Sequence, residues 1–177
     1  VVFTISSVTT PTNQLAAGTS TSITTYDSSG NIIDSVADVS TDAITEGLLD
    51  GVKRVDPAVD TPAYTDTAVV RFTTAGSVPV GGFIRVVLPE VVSVQAGWVV
   101  SAGSEVVFSS PSADRPVVTE AVVLSSAGRD MKFEISGHAI LQETEVVLTV
   151  YNVTTPTKQV ALAYNTSITT YDSSGNI

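Results

Sequence analysis

The sequence predicts an all-β protein of the β-sandwich type, organised as a tandem repeat with a period of 145 residues. Three observations carry that expectation. Val, Ile and Thr together supply 64 of the 177 residues, and these β-branched types fit a pleated, half-buried surface. Short segments of alternating apolar and polar residues follow one another, separated by Gly, Pro, Asp and Ser, as in a sandwich of many short strands. Finally, TSITTYDSSGNI at 21–32 recurs unchanged at 166–177.

Without a gap, the same displacement relates all of 1–32 to 146–177, with 22 of the 32 positions identical. Where the copies differ, the physical role is kept: Phe3 becomes Leu148, Ile5 becomes Val150 and Leu15 becomes Val160. One strand face packed in two slightly different cores drifts in this way. The chain therefore reads as one full period plus the opening of the next, with both termini inside strand-like sequence. That pattern fits a piece of a tandem array, or a subunit completed by its neighbours. The expected division is 1–36, the terminal strands of a preceding repeat or a strand donated to a neighbour, and 37–177, the complete module.

Along the chain, 1–6 and the copy at 145–151 read as strands, with Val146, Leu148 and Val150 on one face. Pro11 and Pro156 then interrupt the ladder. Two short strands surround Asp27, Ser28, Ser29 and Gly30, and the same residues recur as Asp172 to Gly175. An Asp opening the turn and a Gly closing it predict a type I turn with the glycine in the left-handed region, a G1-bulge hairpin. Residues 36–66 are the least patterned. A short helix over 40–50 has Asp42 as its cap, against Gly47 and acids stacked four residues apart. From Asp66 onward alternation returns. Ala68, Val70 and Phe72 point inward, then Ile84, Val86 and Leu88, after a turn containing Pro79, Gly81 and Gly82. Further strands are predicted at 97–100, 105–109, 117–124 and 131–136, the last burying Met131, Phe133 and Ile135.

The succession RFTTAGSVPVGGFIRVVLPE, DMKFEISGHAI, VVLTVYNVTTP and SITTYDSSGNIID resembles the immunoglobulin-like repeats of very large extracellular and cell-surface fibre and adhesion proteins. The resemblance covers about 66–177, and 1–35 through the repeat. It rests on turns and strands, so it implies an immunoglobulin-like sandwich and an extracellular setting and transfers no active site.

The chemistry-bearing residues are few. The net charge of −10, from 18 acids against 8 bases, argues against nucleic acid, whose binding requires cations that displace phosphate counterions. No apolar run approaches the length of a membrane span, so no membrane insertion is expected. With no Cys there are no disulfides and no thiolate nucleophiles. His138 is the single histidine; it follows Gly137 and reads as a turn residue, and no nucleophile elbow accompanies it. No catalytic residue is assigned and no enzyme is expected. Eight of the 18 acids fall within 34–66. They read first as a solvated, self-repelling linker; the alternative is Ca²⁺ at a module junction, with Asp34, Asp38 and Asp42 as candidate ligands. No other cofactor is expected. Asn152-Val-Thr and Asn165-Thr-Ser are candidate glycosylation sequons. Trp98, Tyr64, Tyr151 and Tyr164 are candidates to stack on a sugar, against the plainer reading of core anchors.

These residues lead to a structural subunit of an extracellular filament or surface appendage, whose partners are copies of itself. Modules join end to end, covalently or by strand exchange. Val1, Phe3 and Ile5 form the expected assembly strand, because their counterparts Val146, Leu148 and Val150 already occupy the equivalent place. The alternative is an adhesive module that binds glycans or a surface through its loops.

Overall fold

The computed structural model describes residues 2, 4–6, 8, 14–89, 97–111, 122–123, 128–158 and 166–177. These residues are all-β: eleven strands in three antiparallel sheets, with no helix among them. The chain divides into two compact units, Val1–Glu46 and Gly47–Ile177.

Among the described residues the first unit holds one hairpin. Strand β1 (Gly18–Tyr26) pairs with β2 (Ile32–Thr41), with Ile23 opposite Val36 and Thr25 opposite Asp34. Leu15 and Ile44 close a further bridge beyond its open end. Both strands are longer than the sequence pattern implied. Strand β2 runs across residue 36, and the unit continues to Glu46. The helix expected over 40–50 does not form. Ser40 and Thr41 finish β2, Ile44 bridges Leu15, and Asp50 opens the next strand. Gly47 and four-residue acid spacing oppose a helix, and pairing supplies the backbone partners instead.

The second unit carries β3 (Asp50–Pro57), β4 (Thr65–Thr73), β5 (Phe83–Val87), β6 (Val99–Val100), β7 (Val106–Ser110), β8 (Val122–Val123), β9 (Asp130–Glu134), β10 (Glu145–Thr154) and β11 (Ser167–Tyr171). One sheet runs β3–β4–β10, with β6 and β7 sharing the far edge of β10; the other is ordered β11–β5–β9–β8. A single hydrophobic core draws on both sheets. Ala68, Val70, Phe72, Val146, Leu148 and Val150 come from the first, and Ile84, Val86, Met131 and Phe133 from the second. Period-2 alternation puts these side chains inward and Arg71, Arg85 and Lys132 outward. Two sheets sharing one core fit a β-sandwich.

Strand β3 was not legible in the sequence. It is an edge strand carrying Lys53, Arg54 and a terminal Pro57. Edges are blunted in this way, and it blurs the alternation that marks a strand. The opposite difference occurs at the amino terminus. Val2 and residues 4–6 make no ladder, although the same alternation in β10 is flanked by β4 and β7. Alternation makes a strand only where a neighbour completes the hydrogen bonds.

Candidate assembly site

The repeated dodecapeptide places one local structure in two settings. In the first copy the Asp27 N–H donates to the Asn31 carbonyl at 2.9 Å, and the Gly30 N–H to the Asp27 carbonyl at 3.1 Å. Asp27 Oδ1 accepts the Ser29 and Asn31 amides, each at 2.8 Å, and Oδ2 accepts Asn31 Nδ2 at 2.9 Å. Gly30 stands at φ 84°, the left-handed region that glycine reaches without a Cβ clash. The second copy repeats every term: Asp172 accepts from Ser174 and Asn176 at the same distances, and Gly175 stands at φ 83°. The Asn31 side chain first, then its backbone amide, holds the Asp27 carboxyl below its ordinary value. Asn176 does the same for Asp172.

The settings differ. In the second unit β11 lies antiparallel against β5, with Ile168 opposite Val86 and Tyr171 opposite Phe83. Ile168 packs on the core. On the outer face the Tyr171 ring stacks on Phe83, 4.4 Å between centroids and 13° between planes. Lys132 Nζ lies 4.5 Å from the Phe83 centroid, within cation–π range. Arg85 grips Asp130 with two hydrogen bonds, 2.9 Å from Nε and 2.6 Å from Nη2. That pairing, with the Tyr171 hydroxyl second, raises the guanidinium above its ordinary value. The same bond to Arg85 is the largest effect lowering the Asp130 carboxyl.

Gly82 lets β11 approach. A Cβ there would meet the Tyr171 carbonyl oxygen at 2.6 Å and the Pro79 oxygen at 2.9 Å. Ser173, in the turn, sits 3.4 Å from the corresponding position at Gly81. The loop between β4 and β5 is thus shaped to receive the strand–turn, with Gly81 and Gly82 as more than a generic turn.

In the first unit the same residues have no such seat. Among the described residues β1 pairs with β2 alone. Ile23 is 45% exposed and Tyr26 60%. Ile33 and Val36 on β2, and Leu15 before β1, are exposed as well.

Other sequence-derived candidates fall as follows. Of the expected assembly strand, Ile5 is exposed, while Val1 and Phe3 lie outside the described residues. Asn152 is exposed at an irregularity in β10, with φ 53°; Asn165 and Tyr164 lie outside the described residues. Asp34 and Asp38 are exposed along β2 and Asp42 just beyond it. At about 3.3 Å per residue, a strand holds acids four apart some 13 Å from one another, too far to share a cation. No group of three acids or imidazoles able to hold a metal forms among the described residues. His138 is exposed beside Gly137, at φ 74°, and its amide bonds the Ser136 carbonyl. Trp98 is half-buried against the core, as a packing anchor would be. Tyr64 and Tyr151 are exposed and do not enter the core.

Phe83, Arg85, Asp130, Lys132 and Tyr171 were missed as a group. The available signal was the alternation of FIRVV: with Ile84 and Val86 inward, Phe83 and Arg85 share the outer face. Register across three strands, which no local pattern carries, brings the others beside them. No protein-family model, no characterised protein and no solved structure matches the chain.

Proposed function

We propose that this chain is a structural subunit of an extracellular filament or surface appendage. Its immunoglobulin-like β modules join head to tail, and strands of one unit complete another. One observation carries the reading. A twelve-residue strand–turn occurs twice, seated against β5 in one copy and with its apolar side chains open to solvent in the other. An exposed apolar strand with a free edge is an aggregation hazard, and assembly is the way to manage it. Donor and acceptor surfaces differ, so the contact is heterologous and propagates unless it closes a ring. The Ser- and Thr-rich composition supports a surface setting, and exposed Asn152 is accessible to a glycan there.

Negative-stain electron microscopy of the concentrated full chain tests the reading. Filaments of regular subunit spacing are expected, and Phe3→Asp with Ile5→Asp should shorten or abolish them. Dispersed particles at every concentration overturn the proposal. Ligand-dependent binding by such particles would instead favour an adhesive module.

A further inference from the structure

We infer that the seat of β11 on β5 is interchangeable, and that β1 of a second copy takes it, residue for residue. This rests on the filament reading and names its donor, acceptor and register. Shifted by 145 residues, Ser22, Ile23, Tyr26 and Asp27 correspond to Ser167, Ile168, Tyr171 and Asp172. Every side chain that β11 presents to β5 is therefore also present on β1. Ile23 fits where Ile168 packs on the core, and Tyr26 where Tyr171 stacks on Phe83. The turn fits too: its hydrogen bonds and glycine φ are the same in both copies. Ser28 then meets Gly81 as Ser173 does.

The edges are compatible. The Asp27 amide donates to Asn31 across the hairpin, so strand alternation turns the Tyr26 backbone groups to the opposite edge. The Tyr171 carbonyl oxygen faces Gly82 beside β5, in the same sense. An incoming β1 thus uses the edge that β2 leaves free. It carries β2 with it, and Val36, opposite Ile23, extends the apolar face.

Equal contacts set the concentration dependence. A tethered strand has an effective concentration on the order of millimolar over a free competitor. The dilute chain therefore keeps β11 in place, and exchange needs crowding of copies or a weakened β11. Each copy gives one hairpin and receives one, which produces a linear series.

The cysteine-free sequence permits a register-specific cross-link. Ser167 lies opposite Val87, so Ser22 of an incoming strand should do so. Full-length donor Ser22→Cys is mixed with full-length acceptor Val87→Cys, Ile168→Asp, and oxidised. Cross-linked heterodimer should form at least tenfold faster than with the β2 donor Ser40→Cys, and adding Ile23→Asp to the donor should remove the excess. Equal rates for both donors, or no effect of Ile23→Asp, overturn the inference. If Ile168→Asp unfolds the acceptor, the Val87→Cys chain alone is used at millimolar concentration with the same criteria. Filaments of the wild-type chain without this cross-link would refute the exchange and leave the filament reading standing. Dispersed particles of the wild-type chain would instead count against that reading.

Discussion

In the first copy of the repeated dodecapeptide Thr21–Tyr26 end a nine-residue strand paired with β2, whereas in the second Ser167–Tyr171 form a five-residue strand paired with β5. Between them the turn does not change: Gly30 and Gly175 differ by one degree in φ, and the aspartate bonds agree in length. What changes is everything beyond the turn, from the paired edge to the exposure of the isoleucine. Local chemistry, an Asx bond and a glycine, determines the turn without help. Pairing and burial come from whichever surface the strand meets.

Breaking the core that supports the second setting should have the largest effect. Phe133→Ala removes a fully buried ring between the sheets and should cost about 3–5 kcal/mol, measured by denaturant unfolding followed at Trp98. Protection of β11 should fall with it.

Next comes Gly82→Val. Its Cβ would collide with the Tyr171 and Pro79 backbone oxygens, at 2.6 and 2.9 Å, and press on the Val78 side chain at 3.1 Å, so about 1–3 kcal/mol is expected. Exchange at the β11 amides should rise while the β1–β2 ladder keeps its protection.

The turns sharpen the comparison by their equality. Gly30→Val and Gly175→Val each force a branched residue to positive φ, at about 1–2 kcal/mol. The two losses should match, since nothing lies within 4 Å of either position.

The isoleucines should then differ. Ile168→Ala should cost about 1 kcal/mol for its partial burial, whereas Ile23→Ala in dilute chain should stay within about 0.5 kcal/mol. Thermal melts of the two variants side by side check this.

Acid gives the smallest effect and the same sign in both copies. A carboxyl lowered below 3.8 by folding binds fewer protons folded than unfolded. Its stabilisation is present above that value and is lost as pH falls through the folded value. Carboxyl titrations by NMR should place Asp27 and Asp172 together, both below the ordinary aspartate value.

Much of this was legible in the sequence. The inward sets on β4, β5, β9 and β10 followed from period-2 alternation, because those strands have one face on a shared core. The turns followed from Asp, Gly and their spacing, since the bonds that make them span four residues. Strand β3 was hidden by its charges, and the outer-face group around Arg85 by its dependence on register across β11, β5 and β9. The repeat revealed that two copies exist but not that they sit differently, because identical residues carry no record of their neighbours.

Amide hydrogen exchange at Tyr26 and Tyr171, followed as concentration rises, tests the interchangeable seat most directly. In dilute chain the Tyr171 amide, turned toward β5, should be protected, while that of Tyr26, on an open edge, exchanges freely. As copies associate, Tyr26 should gain the protection that the displaced Tyr171 loses, and Ile23→Asp should prevent the gain. Assembly that leaves Tyr26 exchanging as freely as in dilute chain would contradict the account.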